Sequence, residues 1–246
     1  MENTVTNQEI SKTAQITRDN VIERFVQYCN NKQIEKAYDL ISDECKQLLF
    51  PNIEVFKTNY YNIIFTQKRS YSAEEWEKNT GIYRVRYTND IMADGKVADN
   101  QYEDYIKIAS TTKGIQLNIN SFIGTIKIGK KAEREGVAIE VIKKDMYMNY
   151  ETYSIKIRNT SSNLVEFTEL TNNSINISDK MGNKYGAYIH ELPLEYFTLN
   201  AGQERNIVMK FNKVYNNNRV ITRMNFESIR IKKEQEEINI AIYIGI

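Results

Sequence analysis

One carboxylate and three tyrosines are the residues of this sequence whose types and spacing suit acid–base chemistry. In the segment QYEDYIKIAS, Asp104 shares one face of an alternating strand with Tyr102 and Ile106. If that face points inward, desolvation raises the pKa of the Asp104 carboxyl, as a general base near neutral pH requires. Tyr83 and Tyr60 could lie near it as hydrogen-bond donors. These four polar residues are the candidate ligand-binding set of a cavity, and no residue is assigned a catalytic role.

Two other interpretations of Asp104 stay open. The residue could lie at the end of its strand or form an ion pair with Arg84 or Arg86, which alternate along the segment GIYRVRYT. A one-residue error in register would also move Asp104 to the opposite face of the sheet.

Other chemistries find little support in the sequence. The single histidine, His190, stands beside ELPLEY in the C-terminal half, so the N-terminal half has no His-based dyad, triad or zinc site. Cys29 and Cys45 are expected to be buried thiols, with one bridge between neighbouring helices as the alternative. The acidic segment NDIMADGKVADNQYED lacks the ligand spacing of a calcium loop. No metal and no cofactor are therefore predicted.

The hydrophobic pattern predicts the elements that position these residues. Residues 20–30 and 33–41 have apolar side chains at helical spacing, and Ser42 or Asp43 can begin a further turn. A third helix after Pro51 would bury the face that carries Phe56, Tyr60, Ile63 and Ile64.

After residue 65 the apolar pattern changes to a period of two. Tyr83, Val85 and Tyr87 fall on one face of a strand, and Asp94-Gly95 is a strong hairpin turn. Segregated helices and strands predict an α+β unit, and the strands from Val137 onward predict a two-sheet sandwich. The expected divisions are a polar leader (1–17), an α+β domain (18–126), a basic linker (127–136) and an all-β domain (137–246).

Residues 18–125 resemble the nuclear transport factor 2-like family. The resemblance lies in the helix pair VIERFVQYCNNKQIEKAYDLIS, the helix that follows it, and the four-strand meander. It implies a cone-shaped domain in which helices pack on a curved antiparallel sheet and close one side of a cavity.

Residues 137–246 resemble the immunoglobulin-like domain of secreted bacterial lipoproteins. The phrases YSIKIRNTSSNLVEF, INISDKMGNKYGAY and TLNAGQERNIVMKF carry this resemblance in that order. It implies an all-β immunoglobulin-like sandwich and an extracellular or cell-surface location, with a membrane tether upstream of the given chain. The polar start of the sequence leaves the cytoplasm open as the alternative.

Composition narrows the classes of partner. A net charge of +1 gives no field that would attract nucleic acid. A membrane-spanning helix needs about 18 consecutive apolar residues, and the sequence contains no such run. We therefore predict a non-enzymatic, extracytoplasmic binding or scaffolding protein of a bacterial cell envelope, whose cone domain docks a small ligand or a protein partner. Open alternatives are an isomerase- or dehydratase-like enzyme that uses Asp104, and an assembly component of a conjugation or secretion machine. A homodimer is compatible with each of these.

Overall fold

The computed structural model describes residues 15–89, 101–168, 174–189 and 192–246, and the chain forms two compact units that meet in sequence at Gly124 and Thr125. Most of the predicted leader, the Asp94-Gly95 turn and His190 lie outside the described residues. No helix among the described residues combines the length and the apolar character that crossing a membrane requires.

The helices of the first unit are short because caps divide the amphipathic segments. The Ser42 hydroxyl accepts a hydrogen bond from the backbone N–H of Cys45 (3.1 Å), and the Asn52 side chain accepts one from Val55 (3.0 Å). Each of these contacts satisfies a free N–H at the start of a new helix. The helices are α1 (Val21–Asn30), α2 (Ile34–Asp39), α3 (Asp43–Leu49), α4 (Ile53–Phe56) and α5 (Asn62–Ile64).

The third predicted helix is not continuous. A π-helical turn, Lys57–Tyr61, separates α4 from α5. The extra residue of a π turn rotates the buried face of the helix. Phe56 and Tyr60 are buried as predicted, but the predicted burial of Ile63 is wrong, because its side chain is 50 % exposed.

Four antiparallel strands form the sheet of the first unit, in the order β1-β2-β3-β4. Their register places Val85 opposite Asp104 and Tyr87 opposite Tyr102, so these four side chains share one face. The strands are β1 (Arg69–Glu75), β2 (Ile82–Asn89), β3 (Tyr102–Thr111) and β4 (Gly114–Asn118).

Aromatic side chains fill the core of the first unit. The Phe25 ring lies 6.2 Å from that of Tyr60 and 6.4 Å from those of Phe56 and Phe65, centroid to centroid. Phe65 in turn meets Tyr87 edge-on at 5.4 Å, a favoured geometry for aromatic pairs. This packing fixes Tyr60 and Tyr87 beside strand β3.

The stretch 127–136, expected to be a linker, is mainly strand. Strand β5 (Phe122–Arg134) joins the sheet of order β12-β7-β6-β5. Ile128 and Ala132 of this strand pack against the core of the second unit. The exposed lysines between them obscure this alternation in the sequence. Gly136 completes the turn after β5 at a φ of +78°, where a Cβ atom would lie 2.8 Å from that of Ser161.

The second unit consists of antiparallel strands around one apolar core. Val141 and Tyr153 of one sheet and Phe226 and Ile242 of the other belong to this core and are buried. The second sheet has the order β10-β9-β13-β8-β11, with β14 also paired to β13. The strands are β6 (Val137–Tyr147), β7 (Glu151–Asn159), β8 (Leu164–Phe167), β9 (Ile175–Asp179), β10 (Lys184–Gly186), β11 (Thr198–Leu199), β12 (Glu204–Phe211), β13 (Ile221–Lys232) and β14 (Glu237–Gly245).

The expected fold class, an α+β domain with helices packed on a curved sheet followed by a separate immunoglobulin-like sandwich, is wrong. Of the residues that the structure describes, 51 % are in strands and 18 % in helices, and they form short helices and several antiparallel sheets. The hydrophobic pattern gave too much weight to the helices. A helical period identifies an amphipathic segment, but the caps within that segment decide how long each helix is.

Candidate functional site

The carboxylate of Asp104 lies inside the first unit and is held by donors of the protein. Its Oδ2 accepts hydrogen bonds from the Tyr60 hydroxyl (2.7 Å) and the backbone N–H of Asn120 (2.9 Å). Its Oδ1 accepts one from the backbone N–H of Ser121 (2.8 Å). Only 4 % of Asp104 is exposed. Of the orientations that the sequence left open for Asp104, the structure has the inward one.

Two tyrosine hydroxyls form a chain that ends at this carboxylate. The hydroxyl oxygens of Tyr60 and Tyr87 lie 3.3 Å apart. Because the single proton of the Tyr60 hydroxyl is donated to Asp104, the Tyr87 hydroxyl is the donor to Tyr60. Both rings are buried, so each hydroxyl has a partner inside the protein.

Burial controls the pKa values of this cluster. It raises the pKa of the Asp104 carboxyl, and the hydrogen bonds from Tyr60, Asn120 and Ser121 act in the opposite direction. Burial also raises the pKa of Tyr60 and of Tyr87, and the nearby Asp104 adds to both shifts. The tyrosines are therefore proton donors in hydrogen bonds and stay neutral.

Of the three candidate tyrosines, Tyr60 contacts Asp104, whereas Tyr102 and Tyr83 contact other residues. The Tyr102 ring lies beneath the guanidinium of Arg69, whose carbon is 5.0 Å from the ring centroid. Tyr83 is half-buried opposite Ile106. Within the described residues, neither ring makes a hydrogen bond to the carboxylate.

The predicted ion pair of Asp104 with Arg84 or Arg86 is wrong. Both arginines contact the carboxylate of Glu103, Arg84 through Nη2 at 2.6 Å and Arg86 through Nε at 3.4 Å. Glu103 precedes Asp104 in the strand and therefore lies on the opposite face, which the arginines share.

Asp104 also stabilises a turn. Asn120 and Ser121 both have positive φ values, 58° and 60°, and the turn is closed by a hydrogen bond from the N–H of Phe122 to the carbonyl of Ile119 (3.3 Å). Left-handed conformations are unfavourable for serine. The Asp104 carboxylate accepts hydrogen bonds from the N–H groups of both residues, and these bonds offset the cost of the left-handed conformations. A structural role therefore accounts for the hydrogen bonds that Asp104 accepts from Tyr60, Asn120 and Ser121.

An open cleft of about 440 Å³ lies elsewhere in the first unit. Its lining does not include Asp104 or Tyr60. The volume falls within the range of about 300–1,000 Å³ in which proteins bind small molecules. Apolar and basic side chains form most of its wall, namely Ile16, Leu40 and Ile115 with Lys36, Lys46 and Lys113.

Two of these lysines lie over aromatic rings. The Lys46 ammonium is 4.5 Å from the centroid of Tyr38, and the Lys36 ammonium is 5.7 Å from that of Tyr28. Neither forms an ion pair with a carboxylate of the described residues. Burial lowers the pKa of Lys46, whereas Asp39 and Asp43 act to raise it.

Lys113 and Gln116 also line the cleft, but their polar groups contact other residues of the protein. Lys113 pairs with Asp43 at 2.7 Å. The Gln116 amide donates to the carbonyls of Asp39 (3.3 Å) and Ile41 (3.2 Å), and its oxygen accepts from Thr111 (2.8 Å). The positive charge available to a ligand is therefore that of Lys36 and Lys46.

Sequence reasoning missed Tyr87 and the lysines of the cleft. Tyr87 carried a readable signal, because it shares the alternation that includes Tyr83 and Val85. The lysines carried none, because Lys36 lies on α2, Lys46 on α3 and Lys113 between β3 and β4. Only the packing of these elements brings the three charges together.

The possible metal ligands and the two cysteines were also compared with the predictions. Those residues contain no group of three or more His, Cys, Asp or Glu side chains able to hold a metal ion. Cys29 and Cys45 are both buried and unbridged, which confirms the interpretation as free thiols.

Comparisons with known proteins leave the family open. No family model matches the chain, and no curated protein matches it. One similar solved structure is that of a conserved hypothetical protein from Bacillus anthracis (TM-score 0.31, 11 % identity, 48 % of this chain and 95 % of that chain). Another is that of a functionally unknown protein from Listeria monocytogenes (TM-score 0.30, 10 % identity, 49 % and 86 %). The resemblances to the nuclear transport factor 2-like and lipoprotein families stay predictions.

Proposed function

We propose that this chain is a non-enzymatic binding or scaffolding protein of a bacterial cell envelope, and that its first unit binds a ligand in the lysine-lined cleft. One contrast within that unit supports the proposal. The carboxylate of Asp104 is closed in and held by three internal donors, whereas the cleft is open. The buried carboxylate stabilises the fold, and the cleft offers surface to a ligand.

The chemical character of the cleft supports binding. Ile16 and Ile115 offer apolar area, and Lys36 and Lys46 offer positive charge. Small-molecule sites commonly combine an apolar lining with a few polar groups that fix orientation. None of the cleft residues forms a nucleophile–base pair in the described contacts, so the arrangement fits recognition better than turnover.

Nuclear magnetic resonance can test this proposal directly. A library of small fragments would be added to the ¹⁵N-labelled protein, and the shifted backbone amides would be mapped. We expect hits to shift the amides of Tyr28, Leu40 and Ile115, with those of Asn120 and Ser121 unchanged. Hits confined to the surroundings of Asp104, or no saturable hit in the cleft, would overturn the proposal.

A location outside the cytoplasm belongs to the same proposal and rests on the lipoprotein-like phrases of the second unit. Fractionation of the native organism, followed by detection with an antibody, tests it. We expect the protein in the envelope or culture fraction, and recovery only with cytosolic markers would contradict this.

A second candidate function is an isomerase- or dehydratase-like reaction with Asp104 as the base. One observation favours it, which is that burial raises the pKa of Asp104 beside two neutral tyrosine hydroxyls. It requires fragments that displace the internal donors of Asp104 and are chemically converted. The variant D104N would then lose the conversion while retaining the native amide spectrum, and unchanged conversion would remove this candidate.

A further inference from the structure

The charges of the cleft define which ligands it can recognise, and this inference rests on the proposed binding role. Three lysines line the cleft, and they are opposed by Asp39 in the lining and by Asp43, which pairs with Lys113. Three positive charges against two negative charges leave one positive charge. A ligand that carries a single negative charge would therefore neutralise the cleft.

Both unpaired ammonium groups are already arranged for an anion. Each lies over an aromatic ring, which orients it without neutralising its charge. Lys46 is also half-buried, and this burial lowers its pKa. A partly desolvated charge interacts with a counter-ion more strongly than a fully solvated one. The positions of Lys36 and Lys46 thus favour an anion over a neutral ligand.

The rest of the lining requires an apolar body on the same ligand. Ile16 and Ile115 contribute apolar surface, and the Tyr28 ring adds an aromatic face. A bare inorganic ion would leave this surface in water. Burial of an apolar chain against it stabilises the complex in proportion to the apolar area removed from water.

We propose that the cleft binds a small amphipathic organic monoanion, with its charged end beside Lys36 and Lys46 and its apolar body against Ile16 and Ile115. Octanoate is a suitable probe because it combines a carboxylate with a short alkyl chain. Octan-1-ol provides the same chain without the charge, and inorganic phosphate provides charge without the chain.

The test is a titration of the ¹⁵N-labelled protein with each probe, followed through the amides of Tyr28, Leu40 and Ile115. We expect octanoate to shift these amides saturably and to bind about tenfold more tightly than octan-1-ol or phosphate, as expected of one ion pair that is partly removed from water. Equal binding of octan-1-ol in the cleft would overturn the anion inference and leave the binding role intact. Octanoate that saturates without shifting these amides would overturn the inference as well.

Variants separate the role of the charge from that of the chain. K46M keeps the alkyl stem over Tyr38 and removes the ammonium, so octanoate should bind about tenfold more weakly while octan-1-ol is unaffected. K78M removes an exposed lysine outside the cleft and should leave both affinities unchanged. If K46M loses the native amide spectrum, K36M on the exposed face of α2 carries the same expectation. Undiminished octanoate affinity in the folded variant would contradict the proposal.

The pKa of Lys46 provides a readout that a purely structural lysine would not give. A bound anion stabilises the ammonium form, so octanoate should raise the pKa of Lys46. The side-chain nitrogen resonance, followed against pH with and without octanoate, reports this shift. An unchanged pKa at saturating octanoate would contradict contact between the anion and Lys46.

Discussion

The hydroxyl of Tyr60 donates a 2.7 Å hydrogen bond to the carboxylate of Asp104, and this bond links the π-helical turn to the central strand β3. Tyr87 supports the same hydroxyl from strand β2. Helix and sheet in the first unit are therefore joined by a polar contact inside an aromatic core.

The variant Y60F tests the energetic weight of this contact. Loss of the hydroxyl removes a donor from a buried carboxylate and should lower the free energy of unfolding by about 1–3 kcal/mol. Urea unfolding monitored by circular dichroism measures the change. Y83F is the matched control, because the half-buried Tyr83 forms no hydrogen bond within the described structure, and it should stay within about 0.5 kcal/mol of the parent. Equal losses for both variants would contradict the assigned role of Tyr60.

Two aspartates of the first unit should titrate on opposite sides of the usual value near 3.8. Burial raises the pKa of Asp104, whereas the hydrogen bond from Lys113 lowers the pKa of the exposed Asp43. Carboxyl ¹³C resonances followed from about pH 2 to pH 8 would resolve both groups. An Asp104 that titrates below Asp43 would contradict the assigned burial.

The direction of the Asp104 shift fixes its effect on stability. A carboxyl whose pKa is raised in the folded state binds its proton more tightly there than in the unfolded chain. Its contribution to stability is complete below the unfolded pKa near 3.8 and is lost as the pH rises through the folded value. As the pH rises over that interval, the free energy of unfolding of the parent should therefore fall relative to that of D104N, as measured by urea unfolding. A difference that is independent of pH would contradict this linkage.

The second unit contains a buried ion pair whose disruption should be costly. Lys213 Nζ lies 2.8 Å from Glu151 Oε1, and the two side chains are 3 % and 2 % exposed. Tyr153 also donates to Glu151, at 2.7 Å. K213M leaves the Glu151 carboxylate without its counter-ion and should lower the free energy of unfolding by about 3–5 kcal/mol.

A double variant and a surface control sharpen that test. In K213M/E151Q the remaining side chain is neutral and can still accept from Tyr153, so much of the stability should return. K184M breaks an exposed pair with Glu227 and should cost less than about 1 kcal/mol. A loss in K213M no larger than that in K184M would show that burial does not strengthen the Lys213 pair.

The cysteines should be unreactive until the first unit unfolds. Burial raises the pKa of Cys45 to about 12, and it raises the pKa of Cys29 as well, so both thiols stay protonated at neutral pH. A chromogenic disulfide reagent should label neither thiol in buffer and both in denaturant. Rapid labelling of the native protein, or no labelling of the denatured protein before reduction, would contradict two free buried thiols.

The sequence predicts local order better than the fold. The alternation in β2 correctly groups Val85 with Tyr87, and that in β3 groups Asp104 with Tyr102, because a period of two is set by the backbone itself. It does not predict the π-helical turn that exposes Ile63, since that turn depends on how the helix packs. The strand β5 was hidden because its lysines resemble those of a solvated linker.

The same limits apply to the candidate site. The contact between Tyr60 and Asp104 could be anticipated, because both residues occupy apolar faces. The grouping of Lys36 and Lys46 with Lys113 could not, because Lys113 lies far from the two helices in sequence. Charges that converge only through tertiary packing leave no local pattern.

The most direct test of the account compares octanoate affinity in K46M and in Y60F, measured by isothermal titration calorimetry. If the cleft is the binding site and Asp104 is structural, K46M binds about tenfold more weakly and Y60F binds as the parent does. Loss of affinity in Y60F with full affinity in K46M would place the site at Asp104 and contradict the account.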